Sequence, residues 1–143
     1  MLAKYGLQNQ VDVEFTGQYD SMTLNGAILF ASGAWELSEE AYPLVNKIGK
    51  ILERFTDYTI EIEGHTDNVP IHSGQFKDNN VLSMYRALSV ADYLREHTNL
   101  NPAQLKSSGR GDYVPIADNS TPEGRAQNRR VVIKVHNSFN SDI

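Results

Sequence analysis

The sequence predicts a two-layer α/β (α+β) sandwich, a mixed β-sheet with two main helices on one face. Three observations carry that prediction. Apolar and polar residues alternate at Val11–Thr16, Tyr58–Glu63 and Val131–Val135, the period of strands with one buried face. Ala41–Phe55 and Met84–Leu94 instead repeat apolar residues at helical spacing. The order strand, helix, strand, helix, strand, strand gives a β-α-β-α-β-β layout whose apolar strand faces pack on two amphipathic helices.

At 143 residues the chain fits one domain, expected over 1–143 with its core at 11–136, and can bury that core without staples. A net charge of -5 argues against general nucleic-acid binding, which leans on a basic surface, but leaves room for a local basic pocket. The absence of cysteine excludes disulfides and thiolate metal sites. No run of about 18 apolar residues appears, and the N-terminus lacks the basic-then-apolar layout of a signal peptide. The chain as given is therefore expected to be soluble, with any membrane anchor lying outside it.

Val11, Val13 and Phe15 open the first strand region, and Met22 and Leu24 resume its alternation after a polar turn at Gly17–Asp20. One bent strand and a hairpin both fit this pattern. Ile28-Leu29-Phe30 leads into a small-residue loop at Ala31–Ala34. Ser38 is placed as a helix N-cap, followed by Glu39 and Glu40 where the helix dipole favours negative charge. Leu37 and Tyr42 suit a hydrophobic staple, and the helix is expected to reach Arg54 or Phe55. Pro43 lacks an N–H, so the first turn is expected to be irregular or the regular helix to begin near Pro43.

Tyr58, Ile60 and Ile62 form the buried side of the next strand, with Glu61 and Glu63 on its solvated side. Asn68–Asn80 reads as a loop, and a loop that long in a small domain is usually functional or mobile. The second long helix is capped by Asp78, Asn79 or Asn80 and runs to His97, with Met84, Ala87, Leu88, Ala91 and Leu94 as its core stripe and Arg86 on the flank. Asn101-Pro102 begins a short helical turn, and Leu105–Gly109 a third strand. Tyr113–Gly124 is expected to be a polar loop, and 137–143 a frayed tail.

Chemistry concentrates between Gly64 and Arg86. Asp67 follows a strand end and Arg86 lies early in a helix, a juxtaposition suited to a small charged ligand. A plain Asp67–Arg86 salt bridge fits the same spacing, and such pairs are common. Asn79 fits the helix N-cap, Leu82 fits the core, and Phe30 fits a strand end that packs inward. Arg125, Arg129 and Arg130 with Asn128 make a basic cluster whose usual role is solvation or salt bridging. His65, Asp67 and His72 match no familiar zinc spacing, so no metal and no cofactor is expected. No nucleophile elbow, phosphate loop or cysteine nucleophile marks an enzyme.

Four ordered motifs carry a resemblance. They are Gly64-His65-Thr66-Asp67; Asn79-x-x-Leu82-Ser83-x-x-Arg86-Ala87; Gly109-x-Gly111-x-x-x-Pro115 with Asn119; and Gly124-Arg125-x-x-Asn128-Arg129-Arg130-Val131. Together they resemble the OmpA-like C-terminal domain, over roughly Leu24 to Val135. Within it, Asn68–Ile71, Ser73-Gly74-x-Phe76 and Ile28–Gly33 look most like the MotB-type flagellar stator proteins.

The resemblance implies non-catalytic binding of peptidoglycan through a diaminopimelate-type stem peptide. Asp67 would take the ligand's ammonium and Arg86 its carboxylate, with N–H groups of the helix start assisting. The site would include Thr66, Asn79, Leu82, Phe30 and Arg129. The resemblance also implies an extracytoplasmic location, a homodimer, and a membrane-embedded stator partner for the full-length protein. Another OmpA-like anchor, lipoprotein or porin-linked, is the alternative, and a metal-dependent wall-peptide hydrolase a more distant one. Two positions depart from the pattern. Ala31 stands where relatives commonly carry an aspartate, and Asn80-Val81 replaces a Trp-containing dipeptide of MotB-type proteins.

Overall fold

The computed structural model describes residues 11–15, 19–71 and 75–136. Its sheet contains β1 (Val11–Phe15), β2 (Tyr19–Asn25), β3 (Thr59–His65), β4 (Leu105–Gly109) and β5 (Arg130–His136), in spatial order β1-β2-β5-β3-β4. β1–β2, β2–β5 and β5–β3 are antiparallel and β3–β4 is parallel, so the sheet is mixed as expected. Val11 pairs with Leu24 and Val13 with Met22, which makes the first region two paired strands rather than one bent strand. The expected tail and the first half of the polar turn, Gly17 and Gln18, lie outside the described residues, and Tyr19 and Asp20 open β2.

Register explains the core. Met22 faces Ile133, Leu24 faces Val131, and Ile60 lies between Val135 and Leu105, so these side chains share one sheet face. Val45, Ile48 and Leu52 of helix α2 (Tyr42–Leu52) join Ala87, Val90, Ala91 and Leu94 of α3 (Asn79–His97) in the same buried cluster. Both long helices therefore cover one face, and α3 is the crossover that a parallel β3–β4 pair requires. Shorter elements are α1 (Gly26–Leu29), α4 (Pro122–Asn128) and 3-10 turns at Glu39–Ala41 and Pro102–Gln104.

Ser38 stands at the N-cap without a side-chain hydrogen bond, and the first turn after it is 3-10. Pro43 then occupies the first turn of α2, where an N–H would lack a helical partner anyway. Regular helix stops at Leu52 rather than Arg54 or Phe55, because Arg54 and Phe55 bond three residues back in a tightening turn.

Three expectations are corrected. Met84 and Leu88 are not core, being 50% and 39% exposed. α3 lies over β3 and the edge strand β4, so its Met84–Leu88 side overhangs the sheet edge beside Ser107 and Ser108. Leu82, Ser83, Arg86 and Val90 complete the buried stripe instead. The loop expected over Tyr113–Gly124 gives way to α4 at Pro122, after a Thr121 cap and with Glu123 in the first turn. Those are helix-start signals; the seven-residue helix simply lacks an apolar stripe.

Glu63 is the third correction, for it is buried on the side of the sheet away from the helices. Its carboxylate accepts from His65 Nε2 at 2.7 Å and from Lys134 Nζ at 3.2 Å. Burial pushes the Glu63 carboxyl up, but His65 and Lys134 outweigh it and hold the pKa at about 2. Burial also lowers His65 below its ordinary value, against the opposing pull of Glu63. Both shifts are downward, so acid protonates the unfolded chain more readily than the folded one. Stability is expected to fall as pH drops through 6.5, for His65, and again between 4.5 and about 2, for Glu63. Urea midpoints measured across that range check this, and Glu63→Gln should flatten the lower limb.

Candidate functional site

The site forms where β3 ends, α3 begins and α4 stops. Beyond β3, the Thr66 N–H donates to the Gly111 carbonyl at 2.8 Å and the Thr66 hydroxyl to the Asp67 carbonyl at 2.8 Å. Asp67 Oδ1 accepts the Val69 N–H at 3.0 Å, an Asx turn that orients the carboxylate. Asp67 Oδ2 receives Arg129 Nη1 at 2.6 Å, from the C-cap of α4.

Arg86 lies on the α3 face turned inward and is only 8% exposed. Its Nε donates to the Ala34 carbonyl at 2.8 Å, and its guanidinium sits 5.0 Å from the Phe30 ring centroid. Burial lowers its pKa and the nearby Arg129 charge acts the same way, while Asp67 opposes them. Among the described residues, neither Nη of Arg86 has a hydrogen-bond partner. The guanidinium is thus held at one nitrogen and open at two.

An open cleft of about 630 Å³ joins these groups. Phe30, Thr66, Asp67, Asn79, Leu82, Arg86 and Arg129 all line it, so the structure brings every site residue expected from sequence to one place. Phe30 and Leu82 are also core residues, so core and wall are not alternatives for them. The simple Asp67–Arg86 salt bridge is absent among the described residues, and Arg129 takes the carboxylate instead. Asn79 is not the cap. Asp78 is, accepting the Val81 N–H at 3.0 Å, so one donor expected for a ligand is already used. Asn79 Nδ2 instead donates to the Val69 carbonyl at 2.8 Å and, longer, to that of Asp67, tying the loop to the helix.

His65 belongs to the Glu63 network and does not line the cleft, and among the described residues no three His, Cys, Asp or Glu side chains are placed to hold a metal ion. His72 lies outside them. The basic cluster is divided by the fold. Arg130 is buried and donates to the Asn128 and Val114 carbonyls, while Arg125 donates to the Asn119 carbonyl at the cleft margin. Fully buried Asn128 holds Ile116, Ala117 and Asn119 through its side-chain amide, which braces the approach to α4.

Val69–Ile71, from the Asn68–Asn80 loop marked as functional, also line the cleft, as do Ala31–Gly33 and Arg125. Arg125 was not expected in the site, and no local signal marks it, because it reaches the cleft from α4, a distant part of the chain. Tyr85 packs Trp35 at 5.5 Å and Phe76 at 5.3 Å between ring centroids, residues that follow the lining segments Ala31–Gly33 and Val69–Ile71 in the chain. Tyr85 is 44% exposed, so truncating it should spare the fold. Tyr85→Ala is expected to weaken ligand binding about fivefold, and Tyr85→Phe to restore it, since the ring rather than the hydroxyl makes the contacts. Titration of both variants, with melting curves as control, decides.

Comparison with known proteins gives the following. The OmpA family profile matches residues 29–129. Motility protein B of Bacillus subtilis is 35% identical over 129 residues, spanning 90% of this chain and 49% of that protein. Peptidoglycan-binding protein ArfA of Mycobacterium tuberculosis is 38% identical over 111 residues, spanning 78% of this chain and 32% of that protein. The chain thus spans half or less of the length of these curated relatives. Among solved structures, a putative MotB-like protein from Desulfovibrio vulgaris superposes with a TM-score of 0.88 at 29% identity, covering 94% of this chain and 86% of that one. The cell wall anchor of the type VI secretion system from Pseudomonas aeruginosa gives 0.86 at 36% identity, covering 94% and 93%.

Proposed function

This chain belongs to the OmpA family, and from that premise we propose that it binds peptidoglycan without cleaving it, taking a diaminopimelate-type stem peptide into the cleft. The observation that carries the reading is an oriented carboxylate and a half-free guanidinium lining one cleft. A side chain ending in both an ammonium and a carboxylate needs such a pair. Asp67 receives the ammonium, and the two Nη groups of Arg86 grip the carboxylate. Phe30 and Leu82 pack the methylene stem, and Thr66 and Asn79 keep the Asp67 segment in place.

For the whole protein we propose an extracytoplasmic, MotB-type stator anchor, dimeric and joined through a membrane segment to a stator partner. Similarity to Motility protein B and to MotB-like structures supports this. A different wall anchor is the second reading, favoured by the comparable similarity to the type VI secretion anchor. A single membrane helix carrying an acidic residue in the full-length protein supports the first; a lipid-attachment site or barrel supports the second.

Co-sedimentation with purified peptidoglycan tests the binding itself. The chain is expected to pellet with the wall material and to release no soluble fragments. Metal-dependent release of fragments would replace the binding reading with a hydrolase.

A further inference from the structure

The charges around the cleft do not balance. Among the described residues its charged lining is Asp67 against Arg86, Arg125 and Arg129, on a chain whose net charge is -5. A single ammonium–carboxylate pair brings no net charge to that excess. It would also compete with Arg129 for Asp67 Oδ2, leaving a displaced guanidinium beside Arg86. A ligand that separates Asp67 from Arg129 without a second anionic group therefore creates an unpaired charge, which is costly in a partly desolvated site.

Resting on the peptide-binding reading above, we infer that the cleft selects a ligand end with one ammonium and two free carboxylates, and that Arg129 exchanges Asp67 for the second carboxylate. Arg129 is suited to that exchange. Its side chain is 39% exposed and its guanidinium is bonded at one nitrogen, to Asp67. Arg86 is the fixed member, anchored to Ala34 and stacked over Phe30. The consequence is discrimination by amidation. A stem peptide whose further carboxylates are capped as carboxamides retains the diaminopimelate zwitterion but cannot satisfy Arg129.

The test is calorimetric titration of this chain with two synthetic tripeptides of alanine, γ-linked glutamate and diaminopimelate. One keeps every carboxylate free. The other carries carboxamides everywhere except at the diaminopimelate side-chain end. The amidated peptide is expected to bind about tenfold more weakly or worse, the loss of one charge-assisted contact. In Arg129→Gln the gap between the two peptides should close to about threefold or less. Affinity for the free peptide should also fall with added salt more steeply than affinity for the amidated one. Equal binding of the two peptides overturns the inference and leaves the zwitterion reading standing. A gap that persists in Arg129→Gln overturns the role of Arg129. Failure of both peptides to bind overturns the zwitterion reading itself.

Discussion

Asp67→Ala is expected to abolish peptidoglycan binding at ordinary working concentrations, an affinity loss of about thirtyfold or more, while the chain remains folded. Among the described residues the carboxylate is the one acidic group lining the cleft, so its removal leaves the ligand ammonium without a counter-charge and three arginines without an opposing one. Arg86→Ala should cost a similar factor by removing the two free Nη donors. The folds should survive. Asp67 sits on a loop beyond β3, and the Ala34 carbonyl freed by Arg86→Ala is at a partly open position. Asp67→Asn separates charge from shape, since an amide oxygen can still accept the Val69 N–H. Co-sedimentation, with circular dichroism as the folding control, reads all three. Wild-type binding in both alanine variants would defeat the site assignment.

The second large effect is on stability. Gly64 lies where β3 passes beneath α3, and a Cβ there would overlap the Ser83 carbonyl oxygen and approach its carbon to 3.0 Å. Both neighbours are backbone, and a backbone inside a helix cannot rotate aside as a side chain can. Gly64→Ala is expected to cost about 3 kcal/mol or more, comparable to truncating fully buried Leu94 to alanine. It should also weaken ligand binding in whatever fraction stays folded. Gly64 is three residues before Asp67, and Ser83 three before Arg86, so pushing the elements apart widens the acid–base pair. Denaturant unfolding with and without stem peptide measures both consequences. A change below about 1 kcal/mol would show that the two backbones are not in close contact.

Legibility followed the range of the interactions. Strand alternation at Tyr58–Ile62 and Val131–Val135 was readable because a side chain's face depends on its neighbours two residues away. The irregular start of α2 was readable because proline acts on its own turn. The Met84–Leu88 error has a different origin. Helical periodicity locates an apolar stripe but not where the sheet beneath it ends, and that edge is set by strand order. Glu63 shows the same limit, since an acid on an alternating strand looks solvated until Lys134 is known to stand on the adjacent strand and His65 on the same face.

The acid and base proposed for the site were legible in the sequence alone, through the order of strand end, loop and helix and the motifs that contain Asp67 and Arg86. Tertiary structure decided how they are used. Arg129, 62 residues beyond Asp67, became its ion-pair partner, and Arg86 was held away by the Ala34 carbonyl and the Phe30 ring. Spacing along a chain sets which groups can meet, but Coulomb attraction and desolvation act through space. Which of three arginines pairs with one carboxylate was therefore settled only when β3, α3 and α4 packed together.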